Sequence, residues 1–428
     1  MTLLNRIPQA NTILRMIKDP LYKNAGYILG ITIANSATGF VFWLIAARLY
    51  TPEEVGISSS IISIVALLAG IAGMGLGIGI TRFLGTSEDP GILINSSITL
   101  SVLTSVAISL VYIAGINLWS PSLASISNTL TFGAALFLFV LITNLGNLTQ
   151  WIFIGSRRAG FAFAQSVIMN IARLALVALL GKISWGIALS AALGWGISLF
   201  VAIIFFLPKI IKIRLWPLVS KASVVQLVPY SAGNYFADFL YFAPALIAPP
   251  MMLEIFGASA SAYTYIVLMV GNFLISPGIS LSKSAFAEAS SEQGSKQRIM
   301  RKSFIGGALV TIPISILVFL FSEFILVFFG TAYADEAGLF LRIIALAAPF
   351  VVILNSYFYV LKVENQLVEL IALCLFIFSF TLISTTLFAE KYGYSSYGLG
   401  WLLSQVLAII FIFVKRKIGQ RKSIPENL

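Results

Sequence analysis

The chain has 428 residues, of which 59% are hydrophobic and 10% charged, and its mean hydropathy is +0.98. A soluble domain carries about 25% charged residues, so this composition excludes a soluble fold and makes lipid the solvent. The net charge of +11 sits in short loops beside apolar runs, which excludes nucleic acid as its target. One cysteine, Cys374, and no histidine exclude a disulfide framework and argue against a His-based metal or catalytic site.

Residues 1–23 mix Arg6, Arg15, Lys18 and Asp19 with Leu and Ile. That pattern predicts an amphipathic cytoplasmic segment lying on the membrane, without a cleavable signal. Twelve apolar runs follow, near 24–48, 56–80, 92–118, 129–153, 160–180, 185–207, 224–249, 262–282, 303–328, 337–361, 367–388 and 397–414. Each approaches the ~20 residues needed to cross ~30 Å of hydrocarbon. The basic connection 208–222, PKIIKIRLWPLVSKA, divides the runs evenly. The expected architecture is an all-α polytopic membrane protein of twelve transmembrane helices in two six-helix lobes. An N-lobe covers 24–207, a C-lobe 223–414 and a basic cytoplasmic tail 415–428. Six spans per half make the lobes parallel repeats about an axis along the membrane normal. VGISSSIISIV in the second run and SASAYTYIVLM at the eighth echo one another in support.

The cations fix the threading. Of 27 Lys and Arg, 22 fall in every second gap: Arg6, Arg15, Lys18 and Lys23 at the start, then Arg82, Arg157 and Arg158, the 208–222 linker, Lys283 to Lys302, Lys362 and the tail. The alternate gaps hold only Arg48, Lys182 and Lys391, beside Glu53, Glu54, Asp335 and Glu336. Cationic loops stay in the cytoplasm, so both termini are expected there, in a multi-pass protein of the cell membrane. All loops are short. None folds into a catalytic domain, and none carries GxxxxGK[ST], so a Walker loop is excluded.

An ionisable side chain within the bilayer costs about 2.5–3.5 kcal/mol on insertion scales and marks a functional candidate. Asp238 shares a helical face with Tyr230, Asn234 and Tyr241. That face suits uptake of a proton or Na⁺, or hydrogen bonds to a sugar, and a structural pair with an arginine is the competing reading. Pro229, Pro244, Pro249 and Pro250 interrupt the same run and invite bending. Arg173 shares a face with Asn170 and Ser166. Its guanidinium suits bidentate phosphate binding, against interhelical pairing, with Asp238 itself as one partner. Arg342 lies nearer the outer face, where it and Arg48 can snorkel. Asn272 and Asn355 add polarity to runs eight and ten and complete the candidate substrate-binding set. Gly70, Gly73, Gly75, Gly77 and Gly79 in GIAGMGLGIGITRFLG lack a preceding strand, so they indicate close packing or bending instead of a nucleotide loop.

The stretch AARLYTPEEVGISSSIISIVALLAGIAGMGLGIGITRFLG, residues 46–85, resembles the first two helices of polysaccharide-export flippases. Arg48, Leu49, Glu53 or Glu54, Gly56 and Arg82 fall at that family's turn and Gly-rich helix. SPGISLSKSAFAEAS (276–290) and LNSYFYVLKVENQ (354–366) resemble its eighth and tenth helices. The resemblance is to the multidrug/oligosaccharidyl-lipid/polysaccharide exporter (MOP) superfamily, with Wzx-type O-antigen flippases as the nearest group. It implies two six-helix lobes in a V with alternating access, as in MATE transporters. The implied substrate is an undecaprenyl- or dolichyl-pyrophosphate-linked oligosaccharide, moved from the cytoplasmic to the outer leaflet. Asp238 becomes the coupling residue for H⁺ or Na⁺, and no cofactor is implied. Glycosyltransferases or a polymerase of the same pathway are the expected partners besides membrane lipids. Flippases of the peptidoglycan precursor usually have two further C-terminal spans, which counts against that role.

Three readings compete. A lipid-linked oligosaccharide flippase fits Arg173 and Arg342 set against one acid. A cation-coupled MATE-type multidrug antiporter would prefer several cavity acids. A polymerase or ligase needs large outer loops, which are missing. A major-facilitator carrier would need Gly-x-x-x-Asp-Arg-x-Gly-Arg where this chain has TRFLGTSEDPG.

Overall fold

The computed structural model describes residues 20–126, 129–181, 183–210, 216–291 and 296–422. Most of the expected surface segment 1–23, residues 211–215 of the linker and the end of the tail from 423 lie outside them. Among the described residues all regular structure is helical. The protein is an all-α polytopic membrane protein. Ten stretches are long and apolar enough to cross a bilayer, where twelve were expected. One of the ten, Leu367–Lys415, contains two helices, and Phe304–Leu320 is apolar but shorter.

The principal helices are α1 (Pro20–Leu49), α2 (Pro52–Gly73), α3 (Leu76–Phe83), α4 (Pro90–Ala114), α5 (Thr129–Gly155), α6 (Ala159–Leu179) and α7 (Gly186–Val201). They continue as α8 (Lys221–Phe256), α9 (Ala258–Ser291), α10 (Lys296–Leu320), α11 (Ser322–Val327), α12 (Thr331–Val363), α13 (Leu367–Tyr392) and α14 (Ser396–Lys422). Local chemistry sets several boundaries. Thr51 and Glu54 form a reciprocal capping box, with bonds of 3.1 and 3.3 Å, and Pro52 opens α2. Asp89 caps α4 by accepting from the amides of Gly91 and Ile92 at 2.9 and 3.1 Å, and Pro90 follows it.

Two sequence expectations change. The second run does not continue unbroken to residue 80. Met74 (φ 45°) and Gly75 (φ 71°) adopt left-handed backbone and split α2 from α3. By contrast α8 runs unbroken through Pro229, Pro244, Pro249 and Pro250. Carbonyls freed by proline are tolerated within a bundle, where neighbouring groups satisfy them.

The chain forms two compact units. One comprises residues 1–42, 68–115 and 128–232, and the other 43–67, 116–127 and 233–428. In the first, Leu76, Ile80, Leu93, Leu148, Ile152 and Phe153 are buried together, with Phe153, Phe161 and Phe206 in mutual ring contact. In the second, Leu240, Leu354, Phe358, Leu361, Leu373 and Ile377 form the core. Large apolar side chains also point outward, as Leu110, Leu179 and Leu387 do at 61, 77 and 74% exposure. Lipid solvates those surfaces, so helix contacts draw their strength from close approach and polar bonds instead of water exclusion. Gly77 lies against the Trp151 indole and Gly146 against Trp195, where an added Cβ would sit within 2.3 and 2.5 Å of ring carbons. The glycine-rich run thus serves both packing and a backbone break.

Candidate functional site

In the first unit two polar stripes face one another. Ser166, Asn170 and Arg173 recur along α6 at intervals of four and three, which places them on one face. Asn35, Thr38 and Phe42 do the same on α1. Asn35 Oδ1 accepts from Ser166 Oγ at 2.6 Å and from Asn170 Nδ2 at 2.7 Å. Arg173 Nη2 donates to Thr38 Oγ1 at 3.4 Å, and the guanidinium lies 5.4 Å from the Phe42 ring centre. Asn170 is 1% exposed, and its Oδ1 is a buried acceptor with no hydrogen-bond partner among the described residues. An orphaned acceptor is costly, and here it lies one turn from a guanidinium.

Glycine makes room for Arg173. An added Cβ on Gly194 of α7 would lie 2.9 Å from Arg173 Cβ, and one on Gly39 would lie 3.6 Å from Nη2. Further buried bonds tie α4, α5 and α6. Asn144 Nδ2 donates to Ser105 Oγ at 2.9 Å, and Gln165 Nε2 to Thr149 Oγ1 at 2.9 Å. No Asp or Glu occurs in α1 or in the helices α3–α7. The site is therefore a guanidinium among amides, hydroxyls and an aromatic face, suited to an anion and to sugar hydroxyls.

In the second unit Asp238 is ion-paired. Lys362 Nζ donates to Asp238 Oδ1 at 2.7 Å, with side-chain exposures of 15% for Lys362 and 47% for Asp238. The Lys362 ammonium also lies 5.4 Å from the Tyr359 ring centre. The partner is thus a lysine that the loop tally assigns to the tenth gap, and no arginine is needed. Lys362 occupies the last turn of α12. Asp238 lies about 27 Å along α8 from Phe256, at 1.5 Å per residue. That distance nearly crosses the hydrocarbon, so Asp238 sits close to one membrane boundary and not at mid-depth.

Tyr241 is buried beside Asn355, with its ring edge on Phe358 at 5.1 Å. Tyr241 and Asn272 line one small cavity of about 40 Å³ with Tyr397 and Trp401. Tyr230 and Asn234 belong to α8, and their side chains lie outside those described. Arg342 is held within the second unit. It donates to Glu323 Oε1 at 2.8 Å and to Ser322 Oγ at 3.0 Å, on the short helix α11. Arg48 donates to the carbonyls of Val327 and Phe328 at 2.7 and 2.8 Å, which satisfies the open C-terminal end of α11.

Asn35 and Thr38 are the site residues that sequence reasoning missed. The signal was present: ANSAT interrupts an otherwise apolar run. No group of His, Cys, Asp and Glu among the described residues is arranged to hold a metal ion.

The Asp238–Lys362 pair makes a testable prediction. Lys362→Gln is expected to destabilise the protein by about 2 kcal/mol, because it leaves a half-buried carboxylate without its counter-charge. Asp238→Asn combined with Lys362→Gln is expected to recover most of that loss in thermal melting. Additive losses in the double variant would show that the two charges act separately.

No protein-family model and no curated protein sequence matches the chain. Solved structures do. An inward-facing multidrug-resistance MATE transporter of the MOP superfamily superposes with a TM-score of 0.65 at 15% identity, over 92% of this chain and 96% of that one. The lipid II flippase MurJ in an inward closed conformation gives 0.70 at 14%, over 90% and 87%. A MOP-superfamily transporter from Pyrococcus furiosus, described by the reversed polarity of its binding pocket, gives 0.59 at 12%, over 95% and 98%. The chain shares the fold of these transporters and flippases.

Proposed function

We propose that this MOP-fold chain is a flippase for an anionic, lipid-linked oligosaccharide. It would carry a polyprenyl-pyrophosphate-linked glycan from the cytoplasmic to the outer leaflet by alternating access. The observation that carries the reading is Arg173, set among Asn35, Thr38, Ser166 and Asn170 in a unit whose helices α3–α7 and portion of α1 contain no carboxylate. A guanidinium is weakly hydrated and matches phosphate oxygens two at a time. The surrounding amides and hydroxyls match sugar hydroxyls as donor and acceptor. The idle Asn170 Oδ1 supplies one such acceptor.

In this reading Arg173, Asn170 and Asn35 bind substrate. Tyr230, Asn234, Tyr241, Asn272 and Asn355 are the further candidate polar contacts to substrate. Arg342 is engaged by Glu323, so its contribution is to hold α11 against α12. Asp238 is the coupling candidate: a proton or Na⁺ arriving at the carboxylate would weaken its hold on Lys362. The orientation with both termini cytoplasmic follows from the loop cations. The chemistry requires glycosyltransferases to supply the substrate and a polymerase or ligase to consume it.

The similarity to a MATE transporter favours one alternative, a cation-coupled multidrug antiporter, for which Asp238 would be the drug- and ion-binding acid. Proteoliposomes separate the two. Purified protein is expected to expose a fluorescent polyprenyl-pyrophosphate oligosaccharide to an external glycosidase faster than empty vesicles do. Organic cations should not be antiported. Cation antiport that Asp238→Asn abolishes, without glycolipid flipping, would replace the flippase reading with the antiporter.

A further inference from the structure

One cavity in the second unit has no role in that reading. It is an open groove of about 670 Å³ between the start of α13 and the end of α14. Its wall is apolar, built from Val368, Ala372, Phe376 and Phe411, and its rim carries Glu369 and Lys415. Val368 is 84% exposed and Phe411 57%, so the wall faces outward.

From the turn at Asn365 the groove follows α13 from Leu367 to Phe376, about 14 Å, which is close to half of the ~30 Å hydrocarbon thickness. Its polar rim therefore stands at headgroup level and its apolar wall spans one leaflet. Lys415 Nζ donates to Glu369 Oε2 at 2.6 Å, and Tyr357 donates to Glu369 Oε1 at 2.9 Å. An ammonium has three donors, so Glu369 fixes Lys415 at the rim while leaving it donors for a second acceptor. Beyond the rim, α14 continues to Lys422 and carries Arg416, Lys417, Arg421 and Lys422 in its sequence. A basic cluster directly following a spanning helix attracts anionic lipid.

We infer that this groove binds one anionic phospholipid of the cytoplasmic leaflet, its acyl chain along Val368, Ala372, Phe376 and Phe411 and its phosphate on Lys415. The remaining donors of Lys415 and the basic sequence that follows it on α14 select the headgroup, and the one-leaflet depth selects a lipid over a soluble anion. The site is independent of which substrate the protein carries.

Native mass spectrometry of the full chain released from nanodiscs tests this. The nanodiscs contain phosphatidylcholine with or without phosphatidylglycerol. One phosphatidylglycerol is expected to be retained per protein in preference to phosphatidylcholine. Lys415→Gln is expected to lower its retention about fivefold, and Ala372→Trp, which fills the groove, to remove it. Arg157→Gln, which removes another exposed cation, is expected to leave it unchanged. Equal retention of both phospholipids would overturn the assignment. So would equal losses in Lys415→Gln and Arg157→Gln, or retention in a folded Ala372→Trp protein. If Ala372→Trp does not fold, Val368→Trp, at a more exposed wall position, replaces it with the same outcomes. A polyprenyl phosphate displacing phosphatidylglycerol at equal concentration would also overturn it, because the groove would then belong to the transported lipid.

Discussion

Arg173→Met is expected to lower glycolipid flipping about 10- to 100-fold in proteoliposomes, with a loss of only a few degrees in melting temperature. The magnitude follows from the loss of charge-assisted hydrogen bonds to phosphate, about 1.5–3 kcal/mol for the set. Methionine keeps the apolar stem, so packing against the wall survives. The modest structural cost follows from what Arg173 does within the protein. Its bond to Thr38 is long at 3.4 Å, and its stacking on Phe42 is worth about 0.5–2 kcal/mol. Arg173→Lys separates charge from geometry. A lysine keeps the point charge but not the planar fork, so intermediate flipping is expected. Full flipping by Arg173→Met, at unchanged protein in the vesicles, would remove phosphate binding from this side chain and with it the strongest support for the flippase reading. Asn35→Leu offers a second view. It removes the acceptor that Ser166 and Asn170 share, and impaired flipping together with reduced stability is expected, because two buried donors lose their partner.

Gly56→Leu is expected to prevent a stable fold, and Gly56→Ala to cost at least about 3 kcal/mol in denaturation from detergent. An ideal Cβ on Gly56 would lie 1.7 Å from the Ala258 carbonyl oxygen and 2.6 Å from its carbonyl carbon. Backbone offers no rotamer by which to yield, so α2 and the start of α9 would have to separate. That separation also breaks polar bonds. Ser261 donates to the Gly56 carbonyl at 3.1 Å, and the Ser60 and Ser261 hydroxyls lie 2.8 Å apart. In lipid, contacts between small residues are the main source of helix association, and little compensates for their loss. Overpacking ordinarily costs about 1–3 kcal/mol, and the backbone clash places Gly56→Ala at or above the top of that range. A melting temperature for Gly56→Ala within two degrees of the parent would contradict this packing.

The bilayer character of the chain was legible because it rests on one-dimensional quantities, run length and apolar content. The face shared by Asn170 and Arg173 was also legible, since helical spacing alone sets it. Their counterpart on α1 was not, because the sequence does not say which helix Asn35 faces. Lys362 shows the same limit from the other side. As a loop cation it counts toward orientation, and only the packing of α8 on α12 makes it the partner of Asp238. The glycine run around Met74 and Gly75 pointed to packing or bending, but its evenly spaced glycines did not say at which residue the helix breaks. The unbroken course of α8 through four prolines reverses their usual meaning in water, for which the surrounding bundle is responsible. The motif behind the family resemblance has a physical explanation that spacing did not supply. Glu54 closes a capping box, Glu53 accepts from Ser259 at 2.7 Å, Gly56 permits the closest helix approach and Arg48 caps α11.

That knot around residues 48–56 also constrains the order of assembly. Arg48 is separated from its carbonyl partner at Phe328 by 280 positions. At about 5–20 residues per second, the ribosome takes roughly 15–55 s to deliver that partner after Arg48 has emerged. During that interval α1 and α2 already occupy the membrane with an unfilled glycine notch and an unspent guanidinium. The α1–α2 hairpin is therefore made well before α9 can fill its Gly56 notch and α11 can accept from Arg48.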